Sequence, residues 1–260
     1  GIGFSARNEF VCQSTDGDPF DIVVPQSAVI HGIATTPEDA AKYRKDQTAL
    51  VWSPRSNIDL YGNTAPVVMF DNAGVQIALG TDWVASGSMN LNREIRCADD
   101  LNKKYFGGHF TDKQLWQMVT TNAAFATGVS HVTGMLKAGY VADIAIFNGK
   151  TSKEYRAVLD AGAEDVLLVL RGGKPLYGDA DLLKQAAIGG ADCEDLDVCS
   201  TSKRACVKQD IGGTTTLATI RAAGEKIYPL FFCKDQTPTD EPSCVPYRDE
   251  YKDGIAKGDK

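Results

Sequence analysis

The 260-residue sequence is short of positive charge. Its 27 Lys and Arg stand against 34 Asp and Glu, giving a net charge of −7 and a pI near 5.0. A surface that tracks phosphates needs clustered cations, so nucleic acid is not expected as a partner. No apolar run approaches the ~20 residues that cross a bilayer, and no membrane span is expected. There is no internal repeat and no low-complexity block. With 43% apolar and 23% charged residues, long disordered tracts, collagen and coiled coil are also excluded. The start, Gly1-Ile2-Gly3-Phe4, has neither an initiator Met nor a basic leader and reads as a processed or truncated end.

Cysteine is scarce through the first 190 residues, where only Cys12 and Cys97 occur, and then crowds into Cys193, Cys199, Cys206, Cys233 and Cys244. The spacings Cys-x5-Cys-x6-Cys and Cys-x10-Cys lack the short Cys-x2-Cys knuckles of structural zinc sites, and no His lies nearby. Disulfides are therefore favoured over a metal, with an oxidising, extracytoplasmic setting, periplasmic or secreted. The pairing stays open, and an odd count leaves at least one thiol free or bonded to another chain. Cys12 and Cys97 are expected to be buried apolar residues.

From Ser27 to Gly128 short apolar runs alternate with helix-like stretches, as in consecutive βα units around a parallel sheet. Ser27–Gly32 reads as a strand, followed by a helix that Thr36 caps with Pro37 at its first position. Ala49–Ser53 reads as a buried strand leading into a Pro54-Arg55-Ser56-Asn57 loop, and 65–74 as a helix with Gly74 just past its end. Residues 75–82 read as a third strand, and Thr111 as the cap of a further helix. Beyond it, 134–147 and 165–177 read as strands, the latter joined by a Gly172-Gly173 hairpin with little helix between. A small β subdomain is the simplest account. The stretch beyond Gly189-Gly190 reads as a Cys-rich tail, ending in a charged, mobile run from Arg248 to Lys260.

In parallel α/β folds the functional groups sit at the carboxyl ends of strands. Two polar residues close apolar runs: His31 after Ala28-Val29-Ile30, and Asp82 after Ile77-Ala78-Leu79-Gly80-Thr81. An ionised Asp at such a place is costly unless paired or metal-bound. Taken alone, His31 could be satisfied by a carbonyl and Asp82 could cap the following helix. His109, after Gly107-Gly108, and His131, in a turn, close no strand and read as surface or loop residues.

His31-Gly32, Pro54-Arg55-Ser56-Asn57 and Gly80-Thr81-Asp82-Trp83 end three successive βα strands, and 122–128 and 134–146 follow in order. In this combination the sequence resembles the amidohydrolase superfamily, in its cytosine deaminase and chlorohydrolase-like branch, over roughly residues 1–180. The resemblance implies an α/β fold: about strands six to eight of a (β/α)8 TIM barrel, a small β-sandwich subdomain and the Cys-rich tail. The corresponding division is 1–130 for the partial barrel, 131–185 for the β subdomain and 186–260 for the disulfide-stapled tail.

The same resemblance implies a metal-dependent hydrolase of C–N or related bonds acting on a small-molecule substrate through a metal-activated water. Asp82 would bind the metal and shuttle a proton, while His31 would polarise the substrate or bind metal. Asn57, Ser56 and Trp83 would line the substrate pocket, with Ser86, Ser88 and Asn90 shaping it or serving as turn and cap residues. The cofactor would be a divalent metal, zinc first and iron second.

A metal site needs three or more protein ligands. The family's strand-one His-x-His pair and strand-five His have no counterpart here. Eight βα units need about 200 residues or more, and three precede residue 128. The first ten residues resemble the helix after strand five, so the chain would begin just downstream of that missing His. The expected partner is therefore the N-terminal half of the barrel, with a homo-oligomer possible and the isolated chain inactive. The competing class is a binding or structural fragment without catalysis.

Overall fold

The computed structural model describes residues 4–17, 19–185, 187–188 and 192–247. The charged run from Arg248 and the Gly189-Gly190 pair lie outside them. Two compact units emerge, Gly1–Met135 with Thr239–Lys260, and Leu136–Pro238.

The first unit contains α1 (Phe4–Gln13), β1 (Ala28–Ile30), α2 (Pro37–Lys45), β2 (Ala49–Trp52), α3 (Pro54–Tyr61), α4 (Val67–Asn72), β3 (Ile77–Leu79), α5 (Leu91–Tyr105), α6 (Asp112–Met118) and α7 (Thr121–Ala126). The strands form a parallel sheet in chain order β1-β2-β3, with Val29 beside Leu50 and Leu50 beside Ile77. Local chemistry explains the helix ends. The Thr36 hydroxyl accepts from the Asp39 N–H while the Asp39 carboxylate accepts from the Thr36 N–H, a reciprocal capping box with Pro37 next to it. Thr111 and Gln114 repeat the arrangement at α6. Trp52, Tyr43, Phe70, Leu50, Ile58 and Ile95 form the fully buried centre.

Two local expectations change. Pro54–Asn57 is the first turn of α3 rather than a loop, because Pro54 sets a helical φ at the first position and Gly62, at φ 81, supplies the left-handed stop. Helix α5 was not expected. Asn90 caps it, accepting from the Arg93 N–H at 3.0 Å, and Glu94, Ile95, Ala98, Leu101 and Asn102 lie on its buried face.

The second unit contains β4 (Ile144–Phe147), α8 (Glu154–Leu159), β5 (Val166–Arg171), β6 (Lys174–Asp179), α9 (Ala180–Leu183), β7 (Glu194–Val198), β8 (Thr201–Ala205), α10 (Val207–Ile211) and α11 (Leu217–Gly224). Its strands pair antiparallel in one five-stranded sheet, β4-β5-β6-β8-β7. Gly172 and Gly173, at φ 56 and 79, make the expected hairpin turn between β5 and β6. The strand expected over 134–147 is confined to β4, and α8 stands where little helix was expected. Residues 194–205, read from sequence as tail, are the hairpin β7–β8 and continue the sheet. Their buried positions alternate, but the buried row of β8 holds Lys203 and Ala205 in place of large apolar residues, which masks the period of two.

Six cysteines are paired, Cys97 with Cys244, Cys193 with Cys206 and Cys199 with Cys233, so they are disulfides and not metal ligands. Two expectations are corrected here. Cys97 is not a free apolar residue but bonds Cys244, 147 residues away, a link that no local spacing encodes. Cys12 is the free thiol and is exposed rather than buried, since the short helix α1 turns its position outward.

Candidate active site

The strand order explains why distant residues meet. His31 follows β1, Ser56 and Asn57 begin α3 after β2, and Asp82 follows β3, so all four leave the carboxyl ends of three adjacent parallel strands. The His31 N–H donates to Val51 O at 3.1 Å, and the Gly80 N–H donates to Trp52 O at 2.9 Å, extending the ladder to the site. Outer strands of such a sheet lie about 10 Å apart. The His31 and Asp82 side chains close that gap by turning inward over β2, and His31 Nε2 stands 3.9 Å from Asp82 Oδ2.

Both residues are held in the left-handed backbone region, His31 at φ 71 and Asp82 at φ 59. That conformation is uncommon for residues with side chains and is retained where surrounding structure enforces it. Contacts from α3 orient both side chains. Asn57 Nδ2 donates to His31 Nδ1 at 2.9 Å, and the Ser56 hydroxyl donates to Asp82 Oδ2. Ser56 and Asn57 are fully buried, whereas His31 and Asp82 are 23% and 29% exposed, so the imidazole and carboxylate face an open surface from a rigid base.

An amide nitrogen only donates, so His31 Nδ1 must accept and the neutral ring carries its proton on Nε2, the side that faces Asp82. Burial holds the His31 imidazole below its ordinary value of 6.5, against the opposing pull of Asp82, so the ring is neutral at pH 7.

Ser86 Oγ lies 3.3 Å from Ser56 Oγ, and Ser88 Oγ accepts from Arg55 Nε at 2.9 Å, so both serines join the support and do more than turn the chain. Gly87 lets this loop pack against itself, since a Cβ there would fall 1.8 Å from Thr81 O. Asn90 is the cap of α5. Trp83 joins this loop only through its carbonyl, which accepts from the Ser86 and Gly87 N–H groups, and the residue is 69% exposed. Tyr61 is the residue that sequence reading missed. Its ring meets His31 edge-on at 5.3 Å, and it lies four residues after Asn57 on the same helix face. The i, i+4 signal was present but depends on recognising α3. Of the other histidines, His109 Nε2 lies 2.7 Å from Asp71 Oδ2, away from the site, and His131 is an exposed turn residue.

Beneath the site, Glu94 of α5 supports the start of α3. Ser53 makes no side-chain cap, and Glu94 Oε1 instead accepts from the Arg55 N–H at 3.0 Å. Burial pushes the Glu94 carboxyl from 4.5 up to about 7, against Ser88, the Arg55 N–H and the Arg55 charge. The folded chain then holds a proton that the unfolded chain has released between those two values. Glu94 should therefore favour folding most below pH 4.5 and lose that contribution as pH rises to about 7. Urea unfolding across this window should show the decline, and Glu94→Gln should flatten it. An unchanged slope in the variant counts against the shift.

An Asp82 oxygen is a suitable donor for a divalent ion, and His31 Nε2 would be one only in the opposite tautomer, so at most two donors stand where a site needs three or more. Among the described residues no group of three His, Cys, Asp or Glu could hold a metal. The donor set fits part of a metal site.

A sequence model of the amidohydrolase family matches residues 9–176. A 5′-deoxyadenosine deaminase of Methanosarcina mazei is 32% identical over 165 residues, 60% of this chain and 38% of that protein. A 5-methylthioadenosine/S-adenosylhomocysteine deaminase of Caldicellulosiruptor saccharolyticus is 29% identical over 163 residues, 59% of this chain and 38% of that protein. Among solved structures, a zinc-bound adenosine deaminase from Xanthomonas campestris superposes with a TM-score of 0.59 at 20% identity, over 69% of this chain and 45% of its own. That likeness shows a TIM-barrel-type α/β fold. The chain spans between about a quarter and two fifths of the length of the curated relatives it matches, from 28% to 38%.

Proposed function

The chain belongs to the amidohydrolase family, and on that footing we propose that it forms the C-terminal portion, about strands six to eight, of a metal-dependent hydrolase that removes an amino group from a ring of a small molecule. The deaminases it resembles support C–N hydrolysis. The observation that carries the assignment to this site is the convergence of His31 and Asp82, both in strained backbone, at the carboxyl ends of neighbouring parallel strands.

A bound divalent ion, zinc first, would lower the pKa of water toward about 7 and so supply hydroxide at neutral pH. Asp82 would be one of its ligands, with the remaining ligands supplied by the N-terminal half of the barrel. Ser56 aims the Asp82 carboxylate, which takes a proton from the attacking water and delivers it to the departing amine. Asn57 keeps the His31 proton on Nε2, and this N–H donates a hydrogen bond, without giving up its proton, to the ring atom where negative charge develops. That tautomer has no lone pair on Nε2, which favours the polarising role of His31 over metal ligation. Tyr61 buttresses the imidazole, Trp83 borders the substrate, and Ser56 and Asn57, expected from sequence to line the pocket, act on it through Asp82 and His31.

The partner half would complete the sheet along β1, which pairs only with β2 among the described residues and leaves Ile30 57% exposed. The three disulfides support an extracytoplasmic setting. The opposing reading, a non-catalytic fragment, is favoured by the incomplete donor set.

Turnover assays separate the two. With zinc added, the chain alone should not release ammonia from amino-substituted purines and pyrimidines, whereas the chain assembled with the N-terminal barrel segment should, and a chelator should stop it. Turnover by the chain alone would overturn the ligand assignment. A zinc-loaded assembly inert toward the whole panel would overturn the hydrolase.

A further inference from the structure

We propose that residues 239–247 form a strap that sets the position of α3 against His31 and Asp82, with Glu241 as a positioning residue for the site. The relevance to catalysis rests on the function proposed above; the mechanical claim stands on its own contacts. All of them lie within the first unit.

The strap grips α3 at both ends. At its start, the Arg55 guanidinium donates to Pro242 O and stands 3.6 Å from Glu241 Oε2. At its finish, the Tyr247 N–H donates to Gly62 O at 2.9 Å, and the Tyr247 hydroxyl donates to Asp59 O at 3.1 Å. Between these grips the strap is tied to α5. Arg93 holds Glu241 through two hydrogen bonds, Nε to Oε1 at 2.5 Å and Nη2 to Oε2 at 2.7 Å, and Cys244 is bonded to Cys97.

The spacing shows how this reaches the site. Residues 55, 59 and 62 recur at intervals of four and three, so they fall along one face of α3, and Asn57 and Tyr61 fall on the opposite face. The helix is therefore held between the strap on one side and the His31 ring on the other. Any retreat of α3 toward the strap withdraws the Asn57 amide from His31 Nδ1 and the Ser56 hydroxyl from Asp82.

The charges explain why Glu241 matters most. Its side chain is only 3% exposed, and Arg55 and Arg93 are 11% exposed. With Glu94 beside them, two guanidinium groups face two carboxyls in a nearly dry cluster. Removing one carboxylate leaves a guanidinium with no full counter-charge, which is strongly unfavourable away from water. Arg55 is then released toward solvent, carrying the first turn of α3 with it. The disulfide acts in the same direction by keeping Glu241 at high local concentration beside Arg93.

The test uses the full chain without metal or substrate, so it remains readable whether or not the hydrolase proposal survives. Hydrogen exchange is followed at the Asn57 and Gly62 amides, which bond Ser53 O and Ile58 O, and at the Leu115 amide of α6 as a control. The ring nitrogens of His31 are read in long-range proton–nitrogen spectra above its pKa. In Glu241→Gln, and in Cys97→Ser with Cys244→Ser, exchange in α3 should rise about tenfold or more with Leu115 changed far less. The His31 ring should move from a single Nε2–H tautomer to a mixture. Glu241→Asp, which keeps the charge, should restore much of both signals. Equal acceleration of α3 and α6, or a His31 ring unchanged while α3 loosens, would overturn the proposal. If neither variant folds, Tyr247→Phe deletes only the hydroxyl bond to Asp59 O. It should raise exchange at Gly62 alone, and no change there would overturn the proposal equally.

Discussion

Asp82→Asn, introduced into the complete assembled enzyme, is expected to lower kcat by about 10²- to 10⁴-fold, with KM changed far less. Asn is the informative replacement. It tolerates the left-handed φ of 59 that this position requires, and it still offers an oxygen to the Ser56 hydroxyl, so the loop should keep its shape. What is removed is the negative charge and the ability to carry a proton. Metal content measured on the same sample divides the loss. A kcat that falls while zinc is retained assigns Asp82 to proton transfer, and zinc lost in parallel assigns it to ligation. Ser56→Ala should cost about tenfold, the worth of one hydrogen bond to a charged acceptor. If Asp82→Asn retains more than about a tenth of wild-type turnover, positioned proton transfer by this side chain is wrong.

The parts of this site that could be read from sequence are those with an intrinsic local signal. His31 and Asp82 each interrupt an apolar run at the place where a parallel strand must end, and a charged or polar residue there has no structural need to exist. Ser56 and Asn57 were legible as pocket residues only through the family resemblance. Their physical role in orienting the imidazole and carboxylate depends on α3 being a helix, and Pro54 was read as a loop former when it is a first-turn residue. Tyr61 was lost with that error. Glu94 and Glu241 were beyond sequence reading for a different reason. A carboxylate buried by partners 39 and 148 residues away looks, in one dimension, like any surface acid.

The same distinction runs through the fold. The helix caps at Thr36 and Thr111 and the Gly172-Gly173 hairpin are local and agree with expectation, while the reciprocal partners Asp39 and Gln114 appear only in the structure. The β7–β8 hairpin was not, because its turn uses Cys199 and Ser200 at positive φ, where glycine or asparagine would have announced it. Cysteine pairing carries the least local information. Cys97 looked solitary because its partner follows after a whole second unit.

Lys203 shows how far burial can reverse the ordinary reading of a residue, and Lys203→Met should destabilise the second unit by about 3 kcal/mol or more. In Thr201-Ser202-Lys203-Arg204-Ala205 it looks like a solvated strand lysine, yet its side chain is fully buried. Each of its three protons has an acceptor: Glu164 O at 2.8 Å, Val166 O at 2.9 Å and the Asp179 carboxylate. Asp179 is its direct cross-strand neighbour on β6, so the ammonium joins β8 to β6 and also to the start of β5. Met matches the length and fills the space, so no large cavity is added to the loss. What remains is two carbonyls without their donor and a carboxylate without its cation. Asp179 is 30% exposed and can partly rehydrate, which keeps the cost toward the lower end for a broken buried pair. Because Cys193–Cys206 and Cys199–Cys233 still restrict the unfolded chain, the effect should appear as a lower urea midpoint at unchanged m rather than as outright unfolding. Adding Asp179→Asn should recover about 1 kcal/mol by removing the stranded charge. A Lys203→Met midpoint within the error of wild type would show that the ammonium and its three acceptors contribute nothing net to this sheet.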